Sequence, residues 1–182
     1  VRGALTSSLS LSGLGRAVAV ELARTGFSIA VAARQPGALA EAAAEIAACG
    51  GRVVAVQADV TDRPTVEAMI ARVEDELGAI ELLVNSAGVF RALGEFAVLD
   101  PDDWWREVEI NLKGPLLCSR AVLPRMIARK RGRIINVASM AGLQALETVS
   151  AYCVSKAALI RLSECLVLET WNHGVAVFAL HP

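Results

Sequence analysis

Short apolar runs alternate along this chain with longer stretches in which apolar residues return every three or four positions. The runs read as strands at residues 4–6, 27–33, 52–58, 81–85, 133–138 and 175–180. Most are nearly continuous in Val, Ile, Leu and Ala, the pattern of strands buried on both faces of a parallel sheet. The stretches between them read as helices. Residues 14–25 carry Leu14, Val18 and Leu22 at four-residue spacing, and residues 37–49 are alanine-rich. Residues 64–77 place Val66, Met69, Ile70, Val73 and Leu77 on one face, with Asp62 as N-cap and Pro64 in the first turn. Residues 102–112, 115–130 and 150–172 complete the helices; Pro115 opens one, and Pro124 is expected to bend or split it. Strand-helix alternation predicts a doubly wound α/β sheet with right-handed crossovers, forming one domain over residues 1–182.

Composition narrows the function classes. The 182 residues are enough for a substantial core, and 54% hydrophobic against 20% charged residues is a globular balance. A net charge of −1 carries no basic excess, which argues against nucleic acid as a partner. The basic stretch Arg129-Lys130-Arg131 falls at a predicted helix end, where cations suit the helix dipole. No apolar run reaches the ~18 residues of a membrane helix. Cys49, Cys118, Cys153 and Cys165 are scattered without metal or disulfide spacing, which fits a reducing cytoplasm. With His173 and His181 as the two histidines, a zinc site or a Ser-His-Asp hydrolase is poorly supported.

Tyr152 and Lys156 carry the strongest chemical signal. Positions i and i+4 share a helix face, so an ammonium is set beside a phenol. A free tyrosine titrates near pKa ~10. A neighbouring cation favours the phenolate, bringing the group toward proton transfer at neutral pH. The competing reading is an amphipathic helix with an exposed lysine and a half-buried tyrosine. Upstream, the turn after the first strand holds Gly13, Leu14 and Gly15, where backbone N–H groups can approach a pyrophosphate at a helix N-terminus. The second strand ends at Ala33-Arg34, where an acidic residue would select NAD(H); Arg34 instead suits the 2′-phosphate of NADP(H), with NAD(H) as the other option.

Together these segments resemble the short-chain dehydrogenase/reductase (SDR) family, from about Gly13 to Pro182. Asp59-Val60 resembles the family's adenine-contacting Asp motif. Asn85-Ser86-Ala87-Gly88 resembles its Asn-Asn-Ala-Gly motif, with Ser86 in place of the second Asn. Asn111 matches the helix asparagine. Asn136-Val137-Ala138-Ser139 resembles the strand ending in the catalytic serine, and Tyr152 and Lys156 match Tyr-x-x-x-Lys. The resemblance implies a Rossmann-type sheet of order 3-2-1-4-5-6 and NAD(P)-linked interconversion of a carbonyl and a secondary alcohol. It makes Tyr152 the general acid/base and Ser139 the hydrogen-bond donor to the substrate oxygen. Lys156 would lower the Tyr152 pKa and hold the nicotinamide ribose, and Asn111 would support a proton relay. The nucleotide would meet Gly13, Leu14, Gly15, Arg34, Asp59, Val60, Asn85, Ala87, Gly88, Tyr152 and Lys156. The family's dimers and tetramers pair through helices matching residues 102–130 and 150–172.

Two departures from the family pattern stand out. The first glycine of the Thr-Gly-x-x-x-Gly-x-Gly turn is missing: Leu9 or Ser7 occupies it, depending on whether Ser8 or Thr6 is taken as the threonine. The chain also stops at His181-Pro182, after the sixth strand, where family members continue through a substrate-covering segment and a seventh strand. A fragment of a longer reading frame, with its sixth strand left as an apolar edge, is therefore expected. The alternative function is a non-catalytic nucleotide-binding or dimer-forming remnant; a sugar-nucleotide epimerase of the extended group fits less well. Leu143, Ala145 and Leu146, in the loop 142–148, suggest an apolar substrate.

Overall fold

The computed structural model describes residues 2–7 and 13–182; residues 8–12, which hold most of the altered glycine turn, lie outside the described residues. Six strands form one sheet: β1 (Arg2–Ser7), β2 (Phe27–Ala33), β3 (Val53–Gln57), β4 (Ile80–Asn85), β5 (Gly132–Val137) and β6 (Val175–Leu180). Their order is β3-β2-β1-β4-β5-β6, and every neighbouring pair is parallel. The chain winds outward from β1 to β3, then crosses to β4 and winds the other way. The switch point between β1 and β4, where Ser7 registers with Asn85, is where a doubly wound sheet opens a crevice at its C-terminal edge.

Helices α1 (Leu14–Arg24) and α2 (Pro36–Ala48) pack on one face through Ala19, Val20, Ala23, Leu39, Ala42 and Ile46. Helices α3 (Arg63–Leu77) and α5 (Gly114–Ala128) pack on the other, with the five-residue stripe of α3 wholly buried. Asp62 caps α3 by accepting from the Thr65 N–H at 3.0 Å. Pro124 does not split α5, which runs continuously across it. Pro124 and Arg120, whose carbonyl loses its i+4 donor, both lie on the solvent side, where water can replace the bond. Helix α6 (Ser150–Thr170) lies against β6 on the α3/α5 side. On the opposite side, Phe178 and Leu180 of β6 remain 50% and 45% exposed. Gly174 turns the chain into β6 at φ 69°, with its Cα so close to Lys130 that a Cβ would fall 2.2 Å from the Lys130 carbonyl oxygen.

Between β4 and α5 lies the element that departs most from the periodicity. The expected helix over 102–112 is α4 (Pro101–Val108), followed by a π-helical turn, Glu109–Lys113. Single π turns insert an extra residue into a helix and are frequent at functional sites. This one holds Asn111.

Candidate active site

The C-terminal ends of β4 and β5, the π turn and the first two turns of α6 meet at one place. Lys156 is 4% exposed, so the reading of an exposed lysine on an amphipathic helix does not hold. Its Nζ donates to the carbonyl oxygen of Val137, the last residue of β5, at 2.8 Å. It stands 5.6 Å from the centroid of the Tyr152 ring one turn earlier. Burial pulls the Lys156 pKa from its ordinary 10.5 to about 8, and the Glu107 carboxylate opposes that fall. The Phe90 ring meets the Tyr152 ring edge-on, with centroids 4.8 Å apart.

Asn111 is fully buried and works as a clamp. Its Oδ1 accepts from the Val89 N–H at 2.7 Å, and its Nδ2 donates to the Val89 carbonyl at 2.9 Å and to Ser155 Oγ at 3.1 Å. Ser155 in turn donates to the Tyr152 carbonyl at 2.8 Å. A Cβ on Gly88 would lie 3.4 Å from Asn111 Oδ1 and 3.5 Å from Lys156 Nζ, so Gly88 adjoins both. Ser139 begins a 3₁₀ turn, Met140–Gly142, and its Oγ accepts from the Ala141 N–H at 3.2 Å. That turn is seated on α6: a Cβ on Gly142 would fall 2.7 Å from the Lys156 carbonyl carbon and 2.9 Å from the Ala157 nitrogen. Thus Ser139, Tyr152, Lys156 and Asn111 belong to segments locked to one another.

The residues expected to hold a nucleotide divide by position. Gly13 precedes α1 at φ 66°, where side chains are strained, and Leu14 and Gly15 open the helix. Among the described residues α1 has neither a side-chain cap nor a carboxylate in its first turn. A helix N-terminus presents N–H groups without intrahelical partners and the positive end of the helix dipole, which suit a pyrophosphate. Past β3, Asp59 accepts from the Thr61 N–H at 2.9 Å and from Thr61 Oγ1 at 2.8 Å. Arg34 and Arg106 approach it, each at 3.9 Å. Burial pushes the Asp59 carboxyl up, but the Thr61 bonds and the two arginines outweigh that and hold it below the usual range. Arg34, Arg91, Arg106 and Ile110 line one cleft of about 320 Å³. Val60 and Ala87 are buried. Asn85 is different: its Nδ2 donates to Asn136 Oδ1 at 2.8 Å and to Ser119 Oγ at 3.2 Å. Asn136 continues to Ser163 at 2.9 Å, so this side-chain row ties β4, β5, α5 and α6 together inside the core.

Sequence reasoning missed Glu107, Phe90, Arg106 and Trp104. Glu107 is 2% exposed and its Oε2 accepts from the N–H groups of Arg91 and Ala92 at 2.5 and 2.9 Å. Trp104 Nε1 donates to Ser150 Oγ at 2.9 Å and so pins the start of α6 to α4. The signal was present: Trp104, Glu107, Val108 and Asn111 fall on one helical stripe, and a carboxylate on a buried stripe needs partners.

Comparison with known proteins agrees with this geometry. The family model for short chain dehydrogenase matches residues 10–182. A short chain dehydrogenase of Pseudocercospora fijiensis is 40% identical over 174 residues, covering 94% of this chain and 56% of that protein. The chain therefore spans little more than half the length of that relative. The crystal structure of an NAD+-bound xylitol dehydrogenase superposes with a TM-score of 0.95 at 32% identity, over 100% of this chain and 69% of that one. A variant of actinorhodin polyketide ketoreductase with NADPH gives the same TM-score, identity and coverage. With the sheet order, the locked Ser-Tyr-Lys-Asn segments and the match over nearly its whole length all in agreement, this chain belongs to the short chain dehydrogenase family.

Proposed function

We propose that this chain is the nucleotide-binding and catalytic part of an NADP(H)-dependent oxidoreductase that interconverts a carbonyl and a secondary alcohol. The observation that carries the reading is the buried Lys156 ammonium, anchored on the Val137 carbonyl and set beside the Tyr152 ring. A buried cation needs a reason, because charges are expensive to desolvate. Stabilising negative charge on a phenol is such a reason.

When bound, a nicotinamide dinucleotide supplies or accepts the hydride. The chain's own residues then do the following. In reduction the Tyr152 hydroxyl gives its proton to the substrate oxygen, and in oxidation the phenolate takes a proton back. Ser139 donates a hydrogen bond to that oxygen and orients it. Lys156 supplies positive charge next to the ring throughout. Asn111 holds the segment that carries Phe90 and forms the floor beside Gly88. Gly13, Leu14 and Gly15 receive the pyrophosphate at the α1 N-terminus, and Asp59, Val60, Ala87 and Gly88 flank the nucleotide. Arg34 favours the 2′-phosphate, and its loose 3.9 Å approach to Asp59 leaves the guanidinium free to turn toward an anion. Leu143 and Leu146, both largely exposed beside the Ser139 turn, suit an apolar substrate; preference for small charged substrates in a panel assay would count against that part.

Tyr152→Phe tests the reading. Loss of a positioned general acid/base is expected to lower kcat by about 10²–10⁴-fold with the fold intact. Undiminished turnover would overturn it. Arg34→Ala tests the cofactor choice separately: it is expected to weaken NADPH binding about 10-fold or more and to leave NADH binding unchanged. Equal losses for both would refute 2′-phosphate recognition.

A further inference from the structure

We propose that Glu107 is a positioning residue of this site: together with Asn111 it clamps the chain on either side of Phe90, Glu107 taking the residues just after the ring, and it adds a buried carboxylate to the surroundings of Lys156. The inference rests on the functional reading above only for its catalytic consequence.

The geometry is a two-point clamp. Glu107 and Asn111 are four residues apart at the junction of α4 and the π turn. Asn111 holds Val89 through both its N–H and its carbonyl, while Glu107 holds the N–H groups of Arg91 and Ala92. Phe90 stands between the two holds, and its ring meets Tyr152 edge-on at 4.8 Å. The position of that ring, and with it one wall of the reacting phenol, is thus set from α4. Two N–H donors converge on one oxygen, Oε2; the other, Oε1, is buried with no hydrogen-bond partner among the described residues. A neutral residue would satisfy such a loop at lower cost, so a buried carboxylate here needs a further use. Lys156 provides one. Around its ammonium stand Tyr152 on its own helix, the Val137 carbonyl of β5, the Asn111 amide and Gly88. Against the desolvation that drives Lys156 toward neutrality, Glu107 is the charge that acts in the opposite direction.

The chain has three lysines, Lys113, Lys130 and Lys156, so ¹³Cε-lysine NMR resolves their titrations directly, without cofactor or turnover. In Glu107→Gln an amide oxygen still accepts from Arg91 and Ala92, but the charge is gone. The Lys156 midpoint is expected to fall by about half a pH unit or more, and the alkaline limb of turnover to move to lower pH with it. An unmoved Lys156 midpoint overturns the charge role. Glu107→Asp withdraws the carboxylate by one methylene; hydrogen exchange at the Arg91 and Ala92 amides is expected to quicken about 10-fold or more. Unchanged exchange overturns the clamp, and this variant decides that point even if Glu107→Gln fails to fold. Should the Lys156 midpoint shift while Tyr152→Phe keeps full turnover, the functional reading fails and the Glu107 coupling stands. The converse pair of results sinks Glu107 alone.

Discussion

Replacing Lys156 by Met should make the protein more stable at neutral pH while silencing it. Lys156 is 4% exposed and its pKa falls from 10.5 to about 8 on folding. At 1.36 kcal/mol per pH unit, keeping the ammonium charged in the folded state at pH 7 costs about 3 kcal/mol. Methionine fills a similar volume without charge but leaves the Val137 carbonyl without its donor, which returns roughly 1 kcal/mol of that gain. The net expectation is a stabilisation of about 2 kcal/mol, or ~4–8 °C in Tm for a chain of this size. The pH dependence identifies the cause. Between about 8 and 10.5 the unfolded chain holds the Lys156 proton and the folded chain does not. Unfolding therefore takes up a proton in that window, and wild-type stability rises with pH. The advantage of Lys156→Met should be full at pH 7, mostly gone by about pH 9.5 and reversed above the unfolded value. Urea unfolding of both proteins at pH 7, 8.5 and 9.5, followed by far-UV circular dichroism, measures the difference. A variant less stable than wild type at pH 7, or a difference that stays constant across the three pH values, would refute the reasoning.

Two further outcomes are expected away from the reacting groups. Gly142→Ala drives a Cβ to within 2.7 Å of both Ile160 Cδ1 and the Lys156 carbonyl carbon. It should cost about 1–3 kcal/mol and lower turnover beyond what lost folded protein explains, since the Ser139 turn must lift from α6; wild-type stability and activity would contradict the close seating. Asn85→Leu removes the donor to Asn136 and Ser119 and should cost about 2–3 kcal/mol in chemical denaturation, with NADPH affinity of the folded fraction unchanged. A large affinity loss without a stability loss would instead place the Asn85 side chain in the nucleotide site.

Much of the fold was legible because its punctuation is local. The strands 27–33 and 175–180 have the expected bounds, since Gly26 and Gly174, both at positive φ, end the preceding turns. The stripe of α3 and its Asp62 cap follow from periodicity and side-chain chemistry alone. Tyr152, Lys156, Asn111 and Ser139 were legible as residue types at fixed spacing, and the fold brings their segments together. The burial of Lys156 was not, because it arises from the packing of β5, Gly88 and the π turn around a helix that reads as amphipathic. For Glu107 the stripe marks a buried carboxylate but not what it holds: its partners are backbone N–H groups 15 and 16 residues upstream, which no side-chain pattern announces. The π turn was invisible too. One extra residue in a helix leaves the composition untouched and shifts only which face each side chain occupies. Asn85 carries a second use that its residue type does not announce: its Nδ2 joins β4 to Asn136 of β5 and Ser119 of α5 inside the core.

Most anchors of the site are main-chain atoms, which every residue keeps, apart from the N–H that proline lacks. Lys156 rests on the carbonyl of Val137; Asn111 grips the N–H and carbonyl of Val89; Glu107 takes the N–H groups of Arg91 and Ala92; Ser155 reaches the carbonyl of Tyr152. The side chains at positions 89 and 91 are thereby uncoupled from the scaffold they help to build. Short of proline, evolution or a designer can exchange them to reshape the cleft, while the frame that holds Asn111, Glu107 and Lys156 in place is passed on through the main chain.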